Sequence, residues 1–206
     1  MENKYNLTRE QNVFIAKRNI VDYIWKSANL EGISVTYPET QVIYDRGIVN
    51  GLSVNEVIAI NNLKYAWQFI LAEDNANYSF NTICDIHKLV CDKLVLDSDL
   101  GRIRTKSQIK EELEQLLNQN TKTKTEIAIE IMLWLIRRQM FIDGNKRVAM
   151  LFANKIMIDN GCGIISIANE LQKDFFEKLI KYYETNNMDD LKLWIYDNCI
   201  DGLALN

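Results

Sequence analysis

Apolar residues fall at helical spacing along most of the chain, and the two strongest apolar blocks flank one short polar loop. From Glu10 to Trp25, the residues Val13, Phe14, Ile15, Ile20, Val21, Ile24 and Trp25 recur among charges at the period of a helix with one buried face. That pattern predicts a first helix running into Ser27-Ala28-Asn29-Leu30-Glu31-Gly32, where Gly32 can stop it. Residues 33–52 hold no sustained period and read as loop with room for a short strand. Ser53 and Glu56 form a capping-box pattern that opens a second long helix, to about Ala72, and Asp74-Asn75-Ala76-Asn77 breaks it. Phe80 to Leu94 restores the helical period, with Ile83, Ile86, Leu89 and Val90 on one side. In Leu100 to Ile109, Ile103, Thr105 and Ser107 alternate with Arg102, Arg104 and Lys106, a pattern open to an exposed strand or hairpin and equally to a solvated basic loop. Lys110–Leu117 predicts a short amphipathic helix, and Lys173–Tyr183 and Asp189–Tyr196 two closing ones.

Thr123 with Glu126 caps the first strong block, Ile127–Ile136, and Val148–Ile158 is the second. Both read as buried helices, with Arg137 and Arg138 placed well for the dipole at the end of the first. Between them lies Gln139-Met140-Phe141-Ile142-Asp143-Gly144-Asn145-Lys146-Arg147. The start of a buried helix attracts phosphate through its free N–H groups and dipole. Gly144 permits close backbone approach, Lys146 and Arg147 add positive charge, and Asp143 is a hard oxygen ligand suited to Mg²⁺. The same residues also read as an ordinary turn between packed helices, with Asp143 as the cap.

Composition narrows the class. A chain of 206 residues, 48% hydrophobic and 25% charged, suits one compact domain, and one Pro with eight Gly favours long helices, so the expectation is mostly α. A net charge of −4 gives no general basis for binding nucleic acid. No apolar run reaches membrane-spanning length, and Met1-Glu2-Asn3-Lys4-Tyr5 lacks the apolar region of a signal peptide, so no membrane and a cytoplasmic location are expected. Cys84, Cys91, Cys162 and Cys199 lie among apolar residues as small buried hydrophobes. Cys84, His87 and Cys91 share a helix face, but no second compact ligand pair follows to complete a structural zinc site.

Phe141-Ile142-Asp143-Gly144-Asn145-Lys146-Arg147 resembles the signature loop of the Fic/Doc family, His-Pro-Phe-x-[Asp/Glu]-Gly-Asn-[Gly/Lys]-Arg, and the flanking blocks resemble that family's central helix pair. The resemblance covers roughly residues 10–200 and draws its specificity from those seven residues. It implies a Fic-type (Fido) helical bundle around a central helix–loop–helix with a small β-hairpin flap, as a single domain over residues 1–206. It further implies binding of ATP and Mg²⁺, and AMP transfer (AMPylation) to a Ser, Thr or Tyr hydroxyl of a target protein. Under it, Asp143 would hold the metal, Gly144 and Asn145 would cradle phosphate, Arg147 would neutralise it, and Phe141 would anchor the loop. Lys146 stands where Doc-like members carry Lys and transfer a phosphoryl group instead.

Two positions depart from that pattern: Gln139 replaces the His and Met140 the Pro. The family's His takes the proton of the attacking hydroxyl, whereas an amide can only orient it, a loss of about 10²- to 10⁴-fold. A weak adenylyltransferase, a Doc-like phosphotransferase and a non-catalytic pseudoenzyme that regulates a protein partner therefore all stand, with homodimerisation left open. Gly101 to Arg104 resembles the family's target-binding flap, which would place Arg102, Ile103 and Arg104 beside an extended target segment, although the usual Gly-Gly turn is absent. Ile86-His87 fits a family Leu/Ile-His pair as scaffold, and Ile164–Ile167 a strand-like segment after the core. Ser27, Glu31 and Gly32 match the inhibitory motif [Ser/Thr]-x-x-x-Glu-[Gly/Asn], making residues 10–32 an inhibitory-type helix. The family's Glu pairs with a second Arg; Met150 stands there, so Glu31 is expected to lack that partner.

Overall fold

Helices α7 (Lys124–Arg138) and α8 (Asn145–Asp159) form the most extensively packed pair of the molecule, and the other elements are arranged around them. The computed structural model describes residues 1–72, 78–104 and 108–203. Ten α-helices and one small antiparallel sheet occur among the described residues, the mostly helical architecture expected. Helix α7 starts at Thr123, whose hydroxyl accepts from the Glu126 N–H at 3.3 Å. Helix α8 is buried without interruption from Arg147 to Ile158, so it has no polar face and must be enclosed by neighbours. Those neighbours are α7, α1 (Arg9–Arg18), α4 (Val54–Leu71) and α5 (Phe80–Cys91). Behind α7 lie α6 (Ile109–Leu117) and α10 (Asp189–Asn198), the latter packed on α9 (Gln172–Thr185).

The polar residues that α8 carries into this core all have partners. Asn154 exchanges two hydrogen bonds with the backbone of Ile165, at 2.9 and 2.7 Å, which docks strand β1 (Ile164–Ile165) on the helix. That strand pairs antiparallel with β2 (Ile200–Asp201), Ile164 opposite Asp201 and Ile165 opposite Ile200, tying the C-terminal region to the end of α8. Lys155, fully buried, is 2.9 Å from Asp159, and Asp159 also takes Arg9 Nε at 3.0 Å.

Several expectations change here. The first helix is two: α1 ends and α2 (Ile20–Leu30) begins at Asn19, whose φ of −106° and ψ of 13° break the helix. Helix α2 then continues through Ser27 to Leu30, and Gly32, at φ 83°, stops it in a Schellman turn. In that turn the Gly32 N–H donates to Asn29 O at 2.9 Å and the Ile33 N–H to Ala28 O at 3.0 Å. Residues 33–52 contain a helix, α3 (Tyr37–Arg46), with a Thr36–Glu39 capping box and Pro38 in its first turn. It buries only Thr40 and Ile43, so it leaves little hydrophobic period to read. The small β element lies at β1 and β2; Arg102, Ile103 and Arg104 are not strand. Thr105 to Ser107, on which the alternation also rested, and Asp74 to Asn77 lie outside the described residues. No helix among the described residues is long and apolar enough to cross a membrane.

The Lys155–Asp159–Arg9 group gives a stability test. Asp159→Ala should cost about 3–5 kcal/mol, because it leaves a fully buried ammonium without a counter-charge. Lys155→Met, which leaves Asp159 paired with Arg9, should cost far less. Urea denaturation of both variants measures this, and equal losses would show that the buried pair does not act as described.

Candidate active site

The loop between α7 and α8 is fixed at each of its turns. Helix α7 stops because Gln139 takes the left-handed conformation, φ 45° and ψ 51°, which a non-glycine residue holds only against a small strain. Its side-chain amide offsets that strain as a helix cap, Nε2 donating to Ile136 O at 2.7 Å and to the Tyr183 hydroxyl oxygen at 3.2 Å. Tyr183, on α9, donates in turn to Ile136 O at 3.1 Å. Met140 and Phe141 then turn into the core, and Phe141 stacks on the His87 ring with centroids 3.9 Å apart. The Asn145 side chain closes the loop, accepting from the Phe141 N–H at 2.9 Å and donating to Phe141 O at 3.0 Å. Its side-chain amide is thereby committed to the loop, and its backbone N–H is what it can offer an anion.

His87 joins this loop to the next segment. Its Nδ1 accepts from the Gly101 N–H at 2.9 Å, which puts the ring proton on Nε2, and Nε2 donates to Asp143 O at 3.2 Å. Both ring nitrogens are engaged and the residue is fully buried, so it is scaffold and not a base. No group of three or more His, Cys, Asp or Glu suited to a metal converges among the described residues. Gly101 leads into Arg102–Arg104, and the Arg104 N–H donates to Met140 O at 2.8 Å, a single ladder-like bond. That bond brings the backbone of Arg102, Ile103 and Arg104 to the loop, with both arginines exposed and Ile103 half-buried.

The charged groups meet at the first turn of α8. Gly144, not Asp143, is the N-cap, at φ 73°; a Cβ there would lie 2.6 Å from Cys91 Sγ. No side chain caps the turn, so its first N–H groups remain for a ligand or water. Arg147 is only 6% exposed, with Nη2 3.0 Å from Asp143 Oδ2 and Nη1 3.5 Å from Val90 O. Its Nε is buried without a hydrogen-bond partner, 3.6 Å from Glu31 Oε2. Lys146 Nζ lies 3.6 Å from Glu31 Oε1, 3.3 Å from Leu30 O and 4.8 Å above the Phe176 ring. Glu31 lacks a second Arg, as expected from Met150, but it is not unpaired: the end of α2 reaches the first turn of α8 and meets Lys146 and Arg147 instead. Met150 is buried one turn deeper, beside a small separate cavity that it shares with Ser27.

Glu31, Asp143 and Lys146 form one side of an open cleft of about 380 Å³. Phe176, Ile180 and Tyr183 of α9 form the other, a wall the sequence reading missed. Half of the Asp143 side chain is exposed, and only Oδ2 is engaged by Arg147.

Residues 77–157 match the family model for the Fic/DOC family. Over that stretch the chain is similar to the Fic/DOC family. Solved Fic structures are similar across nearly the whole chain. Fic-1 (residues 134–508) of C. elegans aligns at TM-score 0.78 with 20% identity, over 89% of this chain and 62% of that one. A Fic family protein from Desulfovibrio desulfuricans G20 gives 0.74 and 16%, over 91% and 65%. A Fic domain containing signaling protein from Bacteroides thetaiotaomicron gives 0.67 and 17%, over 90% and 80%. The chain thus spans less than two thirds of the first two. A comparison with curated proteins gives no match.

Within the matched segment, burial holds the His87 imidazole below its ordinary pKa of 6.5, with Arg147 adding to the effect and Asp143 opposing it. A folded-state pKa below the unfolded one means that the unfolded chain binds more protons between the two values. Stability from this group is therefore complete above about pH 6.5 and is lost as pH falls towards the depressed value. Thermal melts between pH 7.5 and 5.5 should show Tm falling, and His87→Gln should flatten the slope. An unchanged slope in the variant would mean that other groups carry the effect.

Proposed function

We propose that the chain binds ATP with Mg²⁺ in the cleft at the start of α8 and acts on a hydroxyl of a protein partner, transferring AMP or a phosphoryl group at a rate limited by Gln139. The observation that carries this reading is the buried Arg147 guanidinium, whose Nε lacks a hydrogen-bond partner at an uncapped helix start. A phosphate there would gain charge-assisted hydrogen bonds and the helix dipole. The donor set fits Mg²⁺ as well, since this ion takes one or two protein carboxylates and completes its shell with phosphate oxygens and water. Asp143 would hold the metal, the backbone at Gly144 and Asn145 would line the phosphates, and Arg147 would neutralise them. Bound ATP–Mg²⁺ supplies the electrophilic phosphorus and the leaving group. Gln139 could orient the incoming hydroxyl but not take its proton. Lys146 leaves both AMP and phosphoryl transfer open.

Two observations qualify the activity. The Gln139 amide is engaged as a helix cap, which favours a second reading: a nucleotide-binding pseudoenzyme that regulates a protein partner. Glu31 stands against both cations that would meet phosphate, so Ser27, Glu31 and Gly32 support an inhibitory role for the end of α2, with Lys146 and Arg147 in place of a second Arg.

Calorimetry with ATP–Mg²⁺ tests binding. Arg147→Ala and Asp143→Ala should each weaken affinity about tenfold to a hundredfold, and Glu31→Gly should strengthen it. Affinities that ignore all three substitutions would remove the reading.

Labelling with ATP carrying radiolabel at the α- or the γ-phosphate tests the chemistry. Gln139→His should raise transfer about 10²-fold or more. If the wild type labels a partner just as fast, another group takes the proton; if both bind ATP and neither labels, the pseudoenzyme reading is the better one.

A further inference from the structure

Next to the nucleotide cleft, across the Arg138–Gln139 and Tyr182–Tyr183 peptide bonds, lies a second open cleft of about 750 Å³, between the end of α7 and the turn after α9. Its base is two guanidinium groups, unusual on a chain of net charge −4. Arg137 lies 5.4 Å from the Tyr182 ring centroid and is held by one edge only, Nη1 donating to Tyr183 O at 2.7 Å and Tyr182 O at 3.4 Å. Arg138 lies 5.9 Å from the Trp134 ring centroid, its Nη2 bonded to Glu112, which also accepts from Trp134 Nε1 at 3.0 Å. No described residue takes a hydrogen bond from Nε or Nη2 of Arg137, nor from Nε or Nη1 of Arg138. Two stacked guanidiniums, each fixed by one edge with the other free, form a preorganised receptor for carboxylates. Glu112 pairs with Arg138 alone, and no carboxylate is among the described residues lining the cleft, so the lining keeps an excess of positive charge.

We propose that this cleft docks an acidic, extended segment of the protein that supplies the hydroxyl. The inference rests on the functional reading above and gives its partner a chemistry: carboxylates a few residues from the acceptor Ser, Thr or Tyr. The placement supports this, because Arg138 and Tyr182 of this cleft are the sequence neighbours of Gln139 and Tyr183, which line the proposed nucleotide cleft. Charge complementarity selects such a segment over a neutral one, and the aromatic faces of Trp134 and Tyr182 give its backbone a flat surface.

The test is fluorescence anisotropy with two labelled peptides, one alternating glutamate with serine and one with glutamine for every glutamate. The acidic peptide should bind, lose affinity as salt rises, and lose about tenfold with Arg138→Gln and more with Arg137→Gln added. Arg138→Gln removes a half-exposed pair with Glu112 and the contact with the Trp134 ring, both near the surface, and should leave Tm close to wild type, and Arg138→Lys should restore part of the affinity. Equal binding of the neutral peptide, or no change in the Arg138→Gln variant, overturns the proposal. Displacement of the acidic peptide by pyrophosphate from wild type but not from Arg138→Gln also overturns it, by making the cleft a small-anion site. Repeating the titration in Arg147→Ala separates the two readings. Peptide binding that survives loss of ATP binding supports the docking surface, even if neither protein transfers anything.

Discussion

The enclosure of α8 dictates where this protein can do chemistry. A helix buried on every side meets solvent only at its ends, and here the C-terminal end is sealed by the Arg9–Asp159–Lys155 group and by β1. What remains is the first turn, where backbone N–H groups, the dipole and Arg147 are concentrated. Burying a guanidinium requires compensation, which comes from Asp143, Val90 O and the nearby Glu31, with Nε left over. The site is thus the one open end of a core helix, and its positive character follows from packing as much as from the count of basic residues.

The loop before that turn owes its rigidity to side chains that touch no phosphate. His87 links Gly101 to Asp143, Phe141 stacks on His87, Asn145 brackets Phe141, and Gln139 caps α7. Gln139 supports the loop itself, because a long amide can reach Ile136 O from the left-handed position. Met140, in place of Pro, keeps the loop's apolar anchor by being buried itself. The geometry of the loop does not depend on a His at the Gln139 position.

The long elements were legible because their residues obey a local rule. Ser53–Glu56 and Thr123–Glu126 capping signals and unbroken apolar periods placed α4, α7 and α8. Helix α3 was missed because it buries so little; its Thr36–Glu39 box and Pro38 were the readable signal. The break at Asn19 has no Gly or Pro to announce it. The α9 wall of the cleft was out of reach for another reason: it joins segments tens of residues apart in sequence, and no periodicity within a segment encodes such a meeting. The resemblance supplied a partner for Glu31 that this chain lacks, and the fold supplied two others.

Those two partners set the balance between inhibition and catalysis. At 3.6 Å, Glu31 attracts Lys146 and Arg147 without making a hydrogen bond to Arg147 Nε. An ion pair at that distance lacks the charge-assisted hydrogen bonds that contribute about 1.5–3 kcal/mol each. A phosphate that bonds to Arg147 Nε and to the free N–H groups of α8 would therefore displace the Glu31 carboxylate. On the proposed reading, Glu31 would tune nucleotide affinity rather than close the site. The larger barrier on that reading would be the absent base, worth about 10²- to 10⁴-fold in rate, and it would remain after a nucleotide had bound. On these magnitudes Gln139, at the end of α7, would decide whether the proposed nucleotide cleft is a catalyst or a receptor.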